Sequence, residues 1–92
     1  MTQPIDVAVM TYNSERYLEK ALDSLFKAVK VRRLIVVDHY SKDKTLEIAK
    51  RYNAKVYMEN VSLGYARQLA IEKVETPIFI FFDIRSSESS FY

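Results

Sequence analysis

Apolar residues fall in two rhythms along the chain. Four short runs are almost continuously apolar: "IDVAVM" at 5–10, "RLIVV" at 33–37, "AKVYM" at 54–58 and "IFIFF" at 78–82. The second and fourth are dominated by Val, Ile and Phe, which suits strands buried on both faces. Between the runs, apolar residues recur at spacings of three and four. In "SERYLEKALDSLFKAV" the face is Leu18, Ala21, Leu22, Leu25, Phe26 and Val29; in "KDKTLEIAKRY" it is Leu46, Ile48, Ala49 and Tyr52. In "SLGYARQLAIEKV" it is Leu63, Ala66, Leu69, Ala70 and Val74. These are amphipathic helices. Asn13 or Ser14, Ser41 or Asp43, and Ser62 are their expected caps, and Pro77 is expected to close the third.

Strands alternating with helices predict a parallel sheet with right-handed crossovers. The predicted class is α/β, a three-layer α/β/α arrangement with four strands in the order 3-2-1-4. Such sheets bind ligands beyond the carboxyl ends of the strands, near the point where the order reverses. That point lies between strands one and four. It brings together Thr11, Tyr12 and Asn13 after the first strand and Asp83 after the fourth, with Asp38 and His39 after the neighbouring second strand.

Composition narrows the function. The chain has 92 residues, enough for one small domain with a modest core. Its 49% hydrophobic and 28% charged residues are globular proportions. A net charge of +2, with both signs interspersed, argues against nucleic acid as a partner. There is no cysteine and one histidine, so a disulfide framework, a thiolate metal site and a histidine cluster are all excluded. The absence of cysteine fits a reducing compartment. "MTQPID" lacks the pattern of a signal peptide, and the longest apolar run, "PIFIFF", is far short of the roughly 20 residues of a membrane helix. A soluble cytoplasmic protein is expected. The basic segment "KAVKVRR" reads first as a solvated helix end, where cations favour the dipole. Contact with anionic lipid headgroups, which would hold the protein peripherally at a membrane, is the second reading.

Two nucleotide motifs are missing. The single glycine, Gly64, rules out both GxGxxG and GxxxxGK[ST]. A nicotinamide-type dinucleotide site is not expected, and no Ser-His-Asp arrangement is suggested.

"VAVMTYNSERYLEKALDSL", "LIVVDHYSKDKTLEIAKRY" and "NVSLGYARQLAIEKVETPIFIFFD" together resemble the N-terminal, nucleotide-sugar-binding half of family 2 glycosyltransferases, a Rossmann-like fold of the GT-A type. The resemblance runs from about Ile5 to Asp83. It implies one truncated domain over 1–83, followed by a Ser-rich tail over 84–92. It also implies nucleotide-binding roles for Thr11, Tyr12, Asp38, His39, Arg67 and Asp83. Tyr12 would lie against the base, where an aromatic face can stack; the alternative is packing on the first helix. Asp38 would accept from a base N–H or a ribose hydroxyl, or else cap the turn that follows it. His39 stands where many members have a second Asp; it either tunes base choice or is a solvent-exposed turn residue. Arg67 would reach a phosphate or base, or else pair with a surface carboxylate. Ser41, Asp43 and Thr45 read as helix-starting residues.

The family's fourth strand ends in a DxD motif whose acids hold a divalent metal against the donor diphosphate. Here the segment is "FFDIRSS": Asp83 matches the first acid, and Arg85 stands in place of the second. Mg²⁺ or Mn²⁺ is the implied cofactor, with Asp83 its single remaining ligand. Arg85 would either meet the phosphates itself or stand at the surface with metal binding lost. The resemblance implies transfer of a sugar, a hexosyl group, from a UDP- or GDP-linked donor to a hydroxyl acceptor. The family's acceptor half and its base have no counterpart here, Glu88 being the one acid after Asp83, so catalytic residues are unassigned and the chain alone is expected to be incomplete. Two alternatives accompany this reading: a non-catalytic nucleotide-binding module, and a homodimer joined through the edge of the strand at 78–82.

Overall fold

The structure is a computed structural model that describes residues 3–85. Seven elements alternate: β1 (Ile5–Thr11), α1 (Glu15–Ala28), β2 (Val31–Asp38), α2 (Thr45–Arg51), β3 (Lys55–Met58), α3 (Leu63–Lys73) and β4 (Phe79–Asp83). The strands form one parallel sheet in the order β3-β2-β1-β4. Every element lies where the apolar rhythm placed it.

Alternating side chains divide the sheet into two faces. Val7, Val9, Leu34 and Val36 pack with Leu18 and Leu22 of α1 and Ile48 and Ala49 of α2. Ala8, Met10, Ile35 and Val37 pack on the other face with Ala66 and Ala70 of α3. The layers are thus α1 and α2, the sheet, then α3. Small residues on α3 let its axis approach the strands closely. Leu34–Val37 are buried throughout, as a strand covered on both faces requires. β4 differs from expectation: Phe79–Phe82 are only partly buried, because β4 has a neighbour on one side alone.

The chain ends of the helices differ in how they are held. Ser62 accepts from the Tyr65 amide at 3.1 Å and caps α3 as expected. Ser14 occupies the cap position of α1 but makes no side-chain capping bond; its hydroxyl is used elsewhere. α3 ends at Lys73, before Pro77 is reached. What closes it is Asp6. The Asp6 carboxylate accepts from the Glu75 amide at 2.8 Å, and the Asp6 amide donates to Thr76 Oγ1 at 3.0 Å.

Asp6 is fully buried and takes a fork from Arg32 Nη1 at 2.9 and 3.0 Å. Arg33 lies 3.6 Å from the same carboxylate and donates to the Lys73 carbonyl at the end of α3. The basic segment therefore is not a helix end in its last part: Arg32 and Arg33 belong to β2 and pair with the buried Asp6 and the exposed Glu75. No helix among the described residues is long and apolar enough to cross a membrane. The tail expected over 84–92 lies outside the described residues from 86 onward. Its first two residues are tied in: Ile84 donates to the Met10 carbonyl at 3.0 Å, and Arg85 is buried.

Candidate functional site

The carboxyl ends of all four strands open on one rim, and three loops there are fastened to one another. Beyond β1, Asn13 has a left-handed backbone (φ 45°), which a short polar side chain tolerates. Its amide donates to Ser41 Oγ at 2.7 Å and its Oδ1 accepts from the Lys42 amide at 2.8 Å. The Ser14 amide donates to Thr45 Oγ1 at 2.7 Å, and Asp43 accepts from the Glu15 amide at 3.1 Å. Ser14 Oγ donates to the Ile84 carbonyl at 2.9 Å, which brings in the loop after β4. The strand-to-helix turns after β1 and β2 thus form a single platform at the point where strand order reverses.

Asp38 is the interior post of that platform. It is fully buried, and its carboxylate accepts from Thr11 Oγ1 at 2.6 Å, Ser41 Oγ at 2.7 Å and the Ser41 amide at 2.7 Å. A carboxylate offers about four lone-pair sites, so three are occupied by the turn. Of the two roles open to Asp38 in the sequence, the turn-holding one accounts for these bonds. Thr11 is likewise buried and faces Asp38.

His39 is not a loose turn residue. Its Nδ1 lies 3.0 Å from Glu59 Oε2, and Glu59 is itself buried at 3% exposure. Glu59 Oε1 accepts from the amides of Val61 and Ser62, so one acid joins the imidazole to the β3–α3 loop. Against a carboxylate acceptor, Nδ1 is the donor. The Tyr12 ring meets the imidazole edge-on with centroids 5.2 Å apart. Tyr12 and His39 therefore form one partly exposed aromatic surface.

Glu59 went unnoticed in the sequence. A signal was present, because an acid stands at or just beyond the carboxyl end of three strands: Asp38 after β2, Glu59 after β3 and Asp83 after β4.

Asp83 and Arg85 form the opposite wall. Arg85 donates from its amide and Nε to Asp83 Oδ1 and from Nη2 to Oδ2, at 2.9, 3.1 and 2.8 Å. Its side chain is 1% exposed, against 34% for Asp83, so Arg85 is not the surface residue one reading expected. Burial by itself would raise the Asp83 carboxyl, but the bonds from Arg85 and the charges of Arg85 and Arg67 outweigh it and hold the group below its ordinary value. Arg67 itself is exposed on α3.

A divalent metal fits this wall poorly. Mg²⁺ and Mn²⁺ take carboxylate oxygens, and both Asp83 oxygens already accept from a guanidinium. Among the described residues, no group of three or more His, Cys, Asp or Glu side chains is placed to hold a metal ion. The rim thus carries the Tyr12–His39 surface beyond β1 and β2 and Asp83 with Arg85 beyond β4, while Thr11 and Asp38 are buried behind it. A depression of about 400 Å³ lined by Gln3, Pro4, Ile5, Thr76, Pro77 and Ile78 lies at the other end of the sheet, away from these residues.

Residues 6–84 match the model of Glycosyl transferase family 2. The chain is 33% identical over 87 residues to the poly(ribitol-phosphate) beta-N-acetylglucosaminyltransferase TarS of Staphylococcus aureus, which covers 84% of this chain and 15% of TarS. It is 36% identical over 90 residues to the 4,4'-diaponeurosporenoate glycosyltransferase of Staphylococcus haemolyticus, covering 89% of this chain and 24% of that protein. Among solved structures it resembles glucosyl-3-phosphoglycerate synthase from Mycobacterium tuberculosis, determined with Mn²⁺, UDP and glucosyl-3-phosphoglycerate. The TM-score is 0.64 at 26% identity, over 86% of this chain and 33% of that one. The chain spans about a quarter or less of the length of these two curated relatives.

Proposed function

The chain belongs to glycosyl transferase family 2, and from that premise we propose that its strand-end rim binds the nucleotide of a nucleotide-diphospho-sugar. In this reading the domain is the donor-binding part of a sugar transferase, and the acceptor and the chemistry of transfer lie outside it. The observation that carries it is the Tyr12–His39 surface, held by Glu59 beside the point where strand order reverses. A base laid there would stack on an aromatic face and meet a polar ring edge. Arg67 stands across the rim for the phosphates. UDP is the first ligand to consider, since the solved relative holds it.

Calorimetric titration of the chain with UDP and with GDP tests this. Wild-type binding is expected, and Tyr12→Ala is expected to lose about 1–3 kcal/mol of it, the range for one stacked base. An unchanged affinity in Tyr12→Ala would remove the base from that surface.

A second reading is favoured by β4. This edge strand leaves Ile78 74% exposed and Phe79–Phe82 only partly covered. An apolar edge of this kind pairs readily with another strand. Two copies of the chain joined along β4 would run at twice the monomer mass in light scattering; a monomer at high micromolar concentration sinks this reading.

A further inference from the structure

We propose that this chain binds a nucleoside diphosphate without a divalent metal, the phosphate charge being met by Arg67 while Arg85 fills the place beside Asp83 that a cation would take. This rests on the nucleotide reading above and deepens it.

The first support is geometric. Arg85 grips Asp83 through three donors, its amide, Nε and Nη2, and reaches both carboxylate oxygens. A metal that took both oxygens would have to displace the guanidinium, and one on Oδ2 alone would sit beside its positive charge. Displacement would take from Arg85, whose side chain is 1% exposed, the carboxylate it meets through Nε and Nη2. Removing one partner of a buried ion pair is strongly unfavourable.

The second support is the balance of charge. Asp83 and Arg85 cancel as a pair. Arg67 is exposed on α3, near enough for its charge to help keep Asp83 ionised. Among the described residues on this wall it is therefore the cation left over. A divalent ion placed at Asp83 would be repelled by two guanidinium groups, whereas a phosphate would be attracted by them. A guanidinium also offers paired N–H donors that match phosphate oxygens, so it supplies both the charge and the orientation that a bridging metal would supply.

The third support is the sheet itself. Met10 of β1 pairs with Asp83 of β4, and Ile84 continues the bonding by donating to the Met10 carbonyl. The Ile84 carbonyl is then taken by Ser14 Oγ. Arg85 thus follows a residue whose amide and carbonyl are both held, which fixes where its own amide meets Asp83.

Equilibrium dialysis of the full chain against UDP, in Mn²⁺ and in EDTA, tests this. Wild-type affinities in the two buffers are expected to agree within about twofold, since no bond to the metal is made. Arg67→Gln is expected to weaken binding about tenfold in both, the scale of one charge-assisted bond. Arg85→Asp frees Asp83 and sets a second carboxylate two residues on. That variant is expected to bind UDP at least tenfold more tightly in Mn²⁺ than in EDTA, with circular dichroism confirming its fold. Wild-type binding that requires Mn²⁺ would overturn the proposal and leave the nucleotide reading standing. Arg67→Gln binding as wild type would overturn it as well. No UDP binding in either buffer would overturn both.

Discussion

Asp6→Ala is expected to destabilise the chain by about 3 kcal/mol, at the lower end of what breaking a buried ion pair costs. Asp6 is fully buried on the α3 face of the sheet and joins two segments: β2, through Arg32 and Arg33, and the turn after α3, through the Glu75 amide, while Arg33 holds the last carbonyl of α3. Alanine would leave the Glu75 amide and the Arg33 guanidinium without that acceptor. Arg33 Nε already has no hydrogen-bond partner. The effect stays at the lower end because the Arg32 side chain is 40% exposed and can turn to water.

The same group gives the stability a defined dependence on pH. Burial alone would raise the Asp6 carboxyl, but the Glu75 amide, the Arg32 bond and the charges of Arg32 and Arg33 together hold it below its ordinary value. The folded form therefore binds a proton less readily than the unfolded chain. Its contribution is complete above the unfolded value of about 3.9 and is lost as the pH falls through the lower folded value. Asp43 and Asp83, also lowered, act in the same direction. Urea midpoints are expected to fall steadily below about pH 4, and Asp6→Asn is expected to show a shallower fall than wild type. An acid limb identical in the two proteins would show that Asp6 is not ionised in the fold.

Asp38→Ala is the second large effect, also about 3 kcal/mol, because three buried or half-buried donors lose their acceptor together. These are the Thr11 hydroxyl, the Ser41 hydroxyl and the Ser41 amide. Ser41→Ala removes one of the three and is expected to cost about 1 kcal/mol. Both follow from denaturant midpoints at constant m-value. Asp38→Ala is also expected to lose nucleotide affinity, but through the platform: the Asn13–Ser41 bond depends on the same turn. A variant with full stability would contradict the turn-holding role and return Asp38 to the list of direct ligands.

Much of this fold was legible in the chain because its signals are local. Val, Ile and Phe runs a few residues long can only be strands here, and the three-four spacing of Leu18, Leu22 and Leu25 can only be a helix on their flank. The parallel sheet followed from the alternation, and the order 3-2-1-4 from the half-Rossmann arrangement it suggests. Pro77 misled because a proline is a local stop sign, whereas α3 is closed by Asp6, 69 residues earlier in sequence. For the same reason the basic segment was misread: the buried partner of Arg32 lies 26 residues away.

The site divides along the same line. Which residues reach the rim was readable, since strand ends place them there. What each one touches was not. Asp38 turned out to accept three bonds from Thr11 and Ser41. His39 gained a buried partner, Glu59, from the next strand over. Arg85, which breaks the family's acidic pair, proved to be gripping the remaining acid. The resemblance supplied the acid that Arg85 stands in place of, and the bonds to Asp83 show where the Arg85 side chain goes.

The most direct test is an amide-shift map of the chain titrated with UDP. Shifts are predicted at Tyr12, Asn13, His39, Arg67 and Asp83, with Asp6, Arg32 and Glu75 at the opposite end of the sheet unmoved. Shifts centred on that opposite end, or none at millimolar UDP, would contradict the nucleotide rim.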